Sequence, residues 1–130
     1  MSSPYTVVNT KSAPAAIGPY VQAVKHNGII YASGAIPLDP ETMTVVEGGI
    51  KEQTARVIKN IEGVLAASGA TKASILKTTC FLKDMNDFVA FNEVYSAFFG
   101  ETKPARSCVE VARLPKDVLV EVEFIAAEVL

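Results

Sequence analysis

The sequence predicts an α+β layer: one sheet of about six strands with two helices on one of its faces. Three observations predict it. Asn27-Gly28 stands between two β-rich runs, the strongest short-range hairpin signal. Apolar residues recur at helical spacing over 50–67 and again over 88–99. The segments 75–82, 104–113 and 118–128 alternate with the period of two that a pleated strand imposes.

A chain of 130 residues forms one domain, 1–130, whose core buries roughly two-thirds of the unfolded surface. It is 49% apolar and 20% charged, the balance of a globular chain. No apolar run approaches the roughly 18 residues of a membrane span. Twelve basic against 14 acidic residues, mixed along the chain, argue against a nucleic-acid surface. Two cysteines, Cys80 and Cys108, are too few for a disulfide scaffold and read as free thiols in a reducing compartment. Residues 1–14 hold one Lys, no Arg and no apolar leader core, so the cytosol is the expected location. One histidine and two distant cysteines exclude an ordinary zinc cluster.

In chain order, Thr6-Val7-Val8 is a short strand. Pro14, Gly18 and Pro19 then force an irregular loop over 13–20. Residues 20–25 and 29–35 form the hairpin, with His26 beside its exposed tip and outside any shielded pocket. Residues 36–42 are turn-rich. Gly48-Gly49 ahead of the first helix lacks the longer glycine pattern and the Lys of a phosphate loop, and reads as a plain turn. The helix stripe is Ile50, Thr54, Val57, Ile58, Ile61, Val64 and Leu65, and Gly69 supplies its stop. In strand 75–82, Cys80 shares a face with Leu76 and Leu82 as an inert core thiol. Asn86 and Asp87 cap the second helix, 88–99, whose stripe is Phe88, Phe91, Val94, Tyr95, Phe98 and Phe99. Asn92 borders that stripe, either as a core-edge amide bonded to backbone or as a functional group.

The stretch 104–113 places Val109 and Val111 on one side and Arg106, Cys108 and Glu110 on the other. An Arg fork on a face that must be covered suits a bound carboxylate or phosphate. The alternative is an interface ion pair with Glu121 or Glu123. The last strand sets Leu119, Glu121, Glu123 and Ile125 against Val118, Val120, Val122 and Phe124. If 113–117 is a hairpin, the last two strands pair antiparallel and Cys108 lies near Glu121. Several strands are apolar on both sides, yet two helices cover only one face. A homo-oligomer is therefore expected, with Arg106, Cys108 and Glu121 lining a cleft between chains.

Ile17-Gly18-Pro19-Tyr20, Ser33-Gly34, Asn92, the run Pro104 to Val111 and Val120-Glu121-Val122 strongly resemble the RidA (YjgF) family of reactive-intermediate deaminases, over about residues 9–129. Val122 stands where Ile or Met is commoner in that family. The resemblance implies a chorismate-mutase-like fold, a homotrimer and ligand clefts between subunits. It implies hydrolysis of 2-aminoacrylate and related enamines and imines to 2-keto acids and ammonia, without pyridoxal phosphate, metal or nucleotide. Arg106 would bind the substrate carboxylate and Glu121 would place the water. Tyr20, Ser33, Gly34, Asn92 and Cys108 would line the cleft. Cys108 has no His partner to make it a nucleophile, and a wall thiol is the simpler role. Two rival classes stand beside the deaminase. One is an RNA-directed translation inhibitor or endoribonuclease, as some relatives are described. The other is a ligand-binding or chaperone-like trimer without turnover.

Overall fold

The structure, a computed structural model, describes residues 4–129. Its elements are β1 (Thr6–Val8), β2 (Ala23–His26), β3 (Ile29–Ala32), α1 (Ile50–Ser68), β4 (Ile75–Leu82), α2 (Phe88–Phe99), β5 (Ala105–Glu110) and β6 (Val120–Ala127). The six strands form one mixed sheet in the order β1-β2-β3-β6-β4-β5.

Local chemistry accounts for the element boundaries. Asn27 and Gly28 both take positive φ (52° and 77°), the two-residue turn whose twist matches its flanking strands. At the start of α1, the Glu52 carboxylate accepts the Gly49 N–H at 2.7 Å. The helix ends at Gly69, in the left-handed region at φ 76°, where the Ala70 N–H returns to the Leu65 carbonyl at 3.0 Å. Asp87 precedes α2, but its side chain makes no cap. Asp84 instead accepts the Asn86 N–H and caps the short 3-10 turn that leads into the helix.

Both helices share one core with the sheet. Val57, Ile61, Val64 and Leu65 of α1 and Phe91, Tyr95 and Phe99 of α2 are buried against Cys80, Leu82, Val120, Val122 and Phe124. Each aliphatic side chain so buried contributes roughly 1.5–3 kcal/mol. The α2 rings stack in sequence, with centroids 5.5 Å apart for Phe91–Tyr95 and 4.6 Å for Tyr95–Phe99. The α1 stripe also carries buried polar residues that periodicity does not reveal. Gln53 accepts the Leu119 N–H at 2.8 Å. Asn60 donates to the carbonyls of Ile36 and Leu38, each at 3.0 Å, while Arg56 donates twice to the Asn60 oxygen.

Two expectations are corrected. First, β5 and β6 do not pair. β4 lies between them, parallel to β5 and antiparallel to β6. A helix between two strands is the length of connection a parallel neighbour needs, and α2 supplies it from β4 to β5. The segment 111–119 is no hairpin. It crosses the end of β4, where the Val111 N–H reaches the Leu82 carbonyl and the Lys83 N–H reaches that of Leu119. Cys108 consequently faces Cys80 in register, not Glu121. Second, Leu76 does not share the Cys80 face. The β4–β6 register shifts between Ile75 and Lys77, and this bulge leaves Leu76 49% exposed while Ile75 turns into the core.

Asn60→Ala would leave the Leu38 carbonyl without its donor, while the Ile36 carbonyl keeps the Leu38 N–H at 2.8 Å, a loss of about 1–3 kcal/mol. Urea unfolding measures it. A change under about 1 kcal/mol would mean that the Leu38 carbonyl finds another partner.

Candidate active site

Arg106 lies on the helix-side face of β5, opposite Thr78 of β4. Three groups fix its guanidinium. Nη1 donates to the Asn92 amide oxygen at 2.8 Å. The ring of Tyr95 lies 4.8 Å from the guanidinium carbon and that of Phe88 5.5 Å, both within cation–π range. Tyr95 is itself held by a 2.7 Å hydrogen bond between its hydroxyl and that of Thr78. Among the described residues no carboxylate forms an ion pair with Arg106. The group opens onto a cleft of about 300 Å³ bounded by Asn92, Tyr95, Lys103 and Pro104. With one N–H engaged by Asn92, the planar fork retains donors for an anion.

Cys108 sits two residues along the same face, half-buried. Burial raises its thiol pKa, and the Arg106 charge offsets this only in part, so the thiol stays protonated at neutral pH. Cys80, fully buried beside it, is pushed up to about 12 by burial. Neither thiol is poised as a nucleophile.

A second constellation gathers around Glu121. Between the Tyr31–Ile125 pair and the Ala35–Val122 bridge, residues 31–35 face 122–125, one residue fewer, so the chain bulges at Ser33-Gly34. The bridge itself is doubly bonded, at 2.7 and 3.1 Å. It brings the Glu121 carboxylate against Gly34 so closely that a Cβ at 34 would lie 1.8 Å from Oε2. Any side chain at 34 displaces this carboxylate. Ser33 donates its hydroxyl to the Val21 carbonyl at 2.7 Å. Tyr20 is 46% exposed, and its hydroxyl accepts the Ile17 N–H at 3.2 Å. These residues surround a cleft of about 290 Å³ with Glu121 on its wall. Burial, and then the neighbouring Glu123, raise the Glu121 pKa above the ordinary carboxylate value.

The named residues therefore fall into two groups, Arg106, Asn92 and Cys108 in one, Tyr20, Ser33, Gly34 and Glu121 in the other. Glu121 pairs with Phe81 and Arg106 with Thr78, an odd offset along β4 that puts them on opposite faces of the sheet. Asn92 accepts from the Arg106 side chain, which differs from the backbone-bonded core-edge amide that the sequence offered as one alternative. Tyr95, which completes the Arg106 cradle, was legible only as core, although its place three residues after Asn92 puts both on one helix face. Gln22 was missed altogether. Its buried amide accepts the Thr10 N–H and donates to the carbonyls of Thr10, Ala13 and Pro14, fixing the loop that carries Tyr20. A clamp of this kind depends on the loop's path and has no local sequence signal. Glu110 accepts the Met85 N–H and belongs to neither group.

A mixed six-stranded sheet with two helices makes the chain an α+β protein, with the two clefts on opposite sides of the sheet. The family model described as Endoribonuclease L-PSP matches residues 10–128, and the chain belongs to this family, the YjgF/RidA/RutC family. The resemblance read from the sequence is thereby borne out. A RutC family protein of Pyrococcus abyssi is 57% identical over 120 residues, covering 92% of this chain and 94% of that protein. A Salmonella typhimurium protein named 2-iminobutanoate/2-iminopropanoate deaminase is 50% identical over 122 residues, covering 92% and 94%. Among solved structures, YyfA of Yersinia pestis, described as a protein of unknown function in the conserved Rid protein family, superposes with a TM-score of 0.92. It is 51% identical, with 95% of this chain and 98% of that one covered.

Because the folded state holds the Glu121 proton more tightly than the unfolded chain, ionisation of Glu121 opposes folding as pH rises above the ordinary carboxylate range. Glu121→Gln should match or exceed wild-type stability at about pH 7, and that advantage should shrink toward about pH 4. Urea midpoints at the two pH values measure it. An advantage that grows on acidification would contradict the assigned shift.

Proposed function

We propose that the protein hydrolyses 2-enamine and 2-imino acids, such as 2-aminoacrylate, to 2-keto acids and ammonia, in clefts formed between copies of the chain in a homotrimer. The observation that carries this reading is the Arg106 guanidinium, held by Asn92 and two aromatic rings, facing a cleft with no ion-paired carboxylate among the described residues. The 50%-identical relative named as a deaminase supports the same chemistry.

In this mechanism Arg106 holds the substrate carboxylate by charge-assisted hydrogen bonds. The enamine tautomerises to the imine, whose carbon is electrophilic. Water adds to that carbon, a proton passes to nitrogen, and the C–N bond breaks to release ammonia and leave the keto acid. Glu121 takes the proton from the attacking water and returns it toward the leaving nitrogen. Its raised pKa brings it nearer the operating pH, where a carboxyl can serve as base and then as acid. Orientation supplies most of the remaining acceleration, because the imine is already activated. Since Arg106 and Glu121 occupy opposite faces of one sheet, the reading requires that one copy contribute Arg106, Asn92 and Cys108 and another contribute Tyr20, Ser33, Gly34 and Glu121.

The family's description favours a second reading, an endoribonuclease. The two separate when a dehydratase generates the enamine from its hydroxy amino acid and keto-acid release is followed. Arg106→Ala should lose about 30-fold to several thousand-fold of the acceleration, the equivalent of the roughly 2–5 kcal/mol attached to a shielded charge partner. RNA cleavage that survives repeated purification, with no effect on keto-acid release, would replace the deaminase with the ribonuclease. Arg106→Ala and Glu121→Ala, each impaired alone, should regain part of the activity when unfolded together and refolded as mixed oligomers. Recovery by neither mixing ratio would overturn the shared cleft.

A further inference from the structure

We propose that the apolar cavity beneath the Ile17–Tyr20 arch is the subsite for the ligand's side chain, and that it selects aliphatic groups of about three or four carbons. This rests on the deaminase reading for what the ligand's head is, but the cavity is defined by the chain alone.

The cavity adjoins the Glu121 cleft. Ile17, Tyr20, Ser33, Gly34 and Ile36 border both. Beyond them it runs inward to Ala13, Leu38 and Val64 of the core. A ligand whose reacting carbon sits at Glu121 would therefore lie next to this space, with Ser33 and Gly34 on the shared border.

The lining decides the chemistry of the guest. Two amides border the space, and both are engaged. Both N–H groups of Asn60 go to carbonyls and its oxygen takes two bonds from Arg56. The Gln22 amide nitrogen is shared among the carbonyls of Thr10, Ala13 and Pro14, and its oxygen holds the Thr10 N–H. The Ser33 proton is committed to Val21. Of the lining side chains only the Tyr20 hydroxyl keeps an uncommitted proton, so a polar or charged guest would give up most of its hydration without replacement, which is the unfavourable case of burial. An aliphatic guest loses nothing.

The volume decides its size. The space is about 50 Å³, against the roughly 10–15 Å³ that a single water requires on the same measure. Three or four heavy atoms fit, and a phenyl ring does not. Pro14 and Pro19 restrict the arch, and the Tyr20–Ile17 hydrogen bond closes it, so the cavity exists before a ligand arrives.

The test titrates the assembled, full-length protein with pyruvate, 2-oxobutanoate, 4-methyl-2-oxopentanoate and phenylpyruvate by calorimetry, and follows the matching imines by turnover. Wild type should bind 4-methyl-2-oxopentanoate at least tenfold more tightly than pyruvate, the scale of one or more methylenes in an apolar pocket, and should disfavour phenylpyruvate. Ala15→Leu, which narrows the arch, should lower the 4-methyl-2-oxopentanoate to pyruvate ratio tenfold or more. Val64→Ala, which deepens the floor, should shift preference toward the larger acids. An unchanged ratio in both folded variants overturns the subsite, whether or not imines are hydrolysed. Selectivity that shifts while no imine is turned over upholds the subsite and removes the deaminase reading instead.

Discussion

Side chains alternate between the two faces of a sheet, and this period of two decides where the protein's charges can meet. β4 occupies the middle of the β6-β4-β5 group and sets the phase of both neighbours. Arg106 falls in phase with buried Thr78, and Glu121 with Phe81 on the other face. No side-chain rotation brings the two together, because the sheet lies between them. A one-residue slip of β6 would carry Glu121 to the Arg106 face, but it would also turn Val120, Val122 and Phe124 out of the core. The hydrophobic register thus locks the separation of the two clefts.

Each cleft is built from packed neighbours. On the helix side, Arg106 lies among rings that belong to the α2 core stripe, so the packing that stabilises the helix also orients the guanidinium. On the other side, the bulge at Ser33-Gly34 interrupts the β3–β6 ladder and lets a carboxylate lie against backbone. Partial burial makes the ionised form of Glu121 costly and raises its pKa. The helix α1 braces this side from beneath. Gln53 holds the Leu119 N–H two residues before Glu121, and Asn60 holds the Ile36 carbonyl two residues after Gly34.

Much of this was legible in the sequence because it is local. Asn27-Gly28 encodes its own turn, the spacing of Val57, Ile61 and Val64 encodes a helix face, and alternation in 118–128 places Glu121 opposite Val122 in any register. What was not legible depends on distant partners. Alternation gives a strand's faces but not its neighbours, so β5 was matched to β6 when the α2 crossover matched it to β4. The bulge at Leu76 inverts two residues without any composition change. The amides of Gln22, Gln53 and Asn60 sit on otherwise apolar faces, where each reads as a polar interruption until the loop carbonyls and N–H groups they serve are in place. Of the candidate residues, Arg106 and Glu121 were recognisable from their neighbours in sequence. That they stand on opposite faces follows only from a sheet order that puts β4 between them.

A crystal structure of the assembled protein with 2-oxobutanoate tests the central claim most directly. The account predicts the keto acid's carboxylate on Arg106 of one copy, with its carbonyl carbon facing Glu121 of another across a closed interface. A keto acid bound wholly within one chain, or an Arg106 that opens to bulk solvent with no second copy beside it, would contradict it.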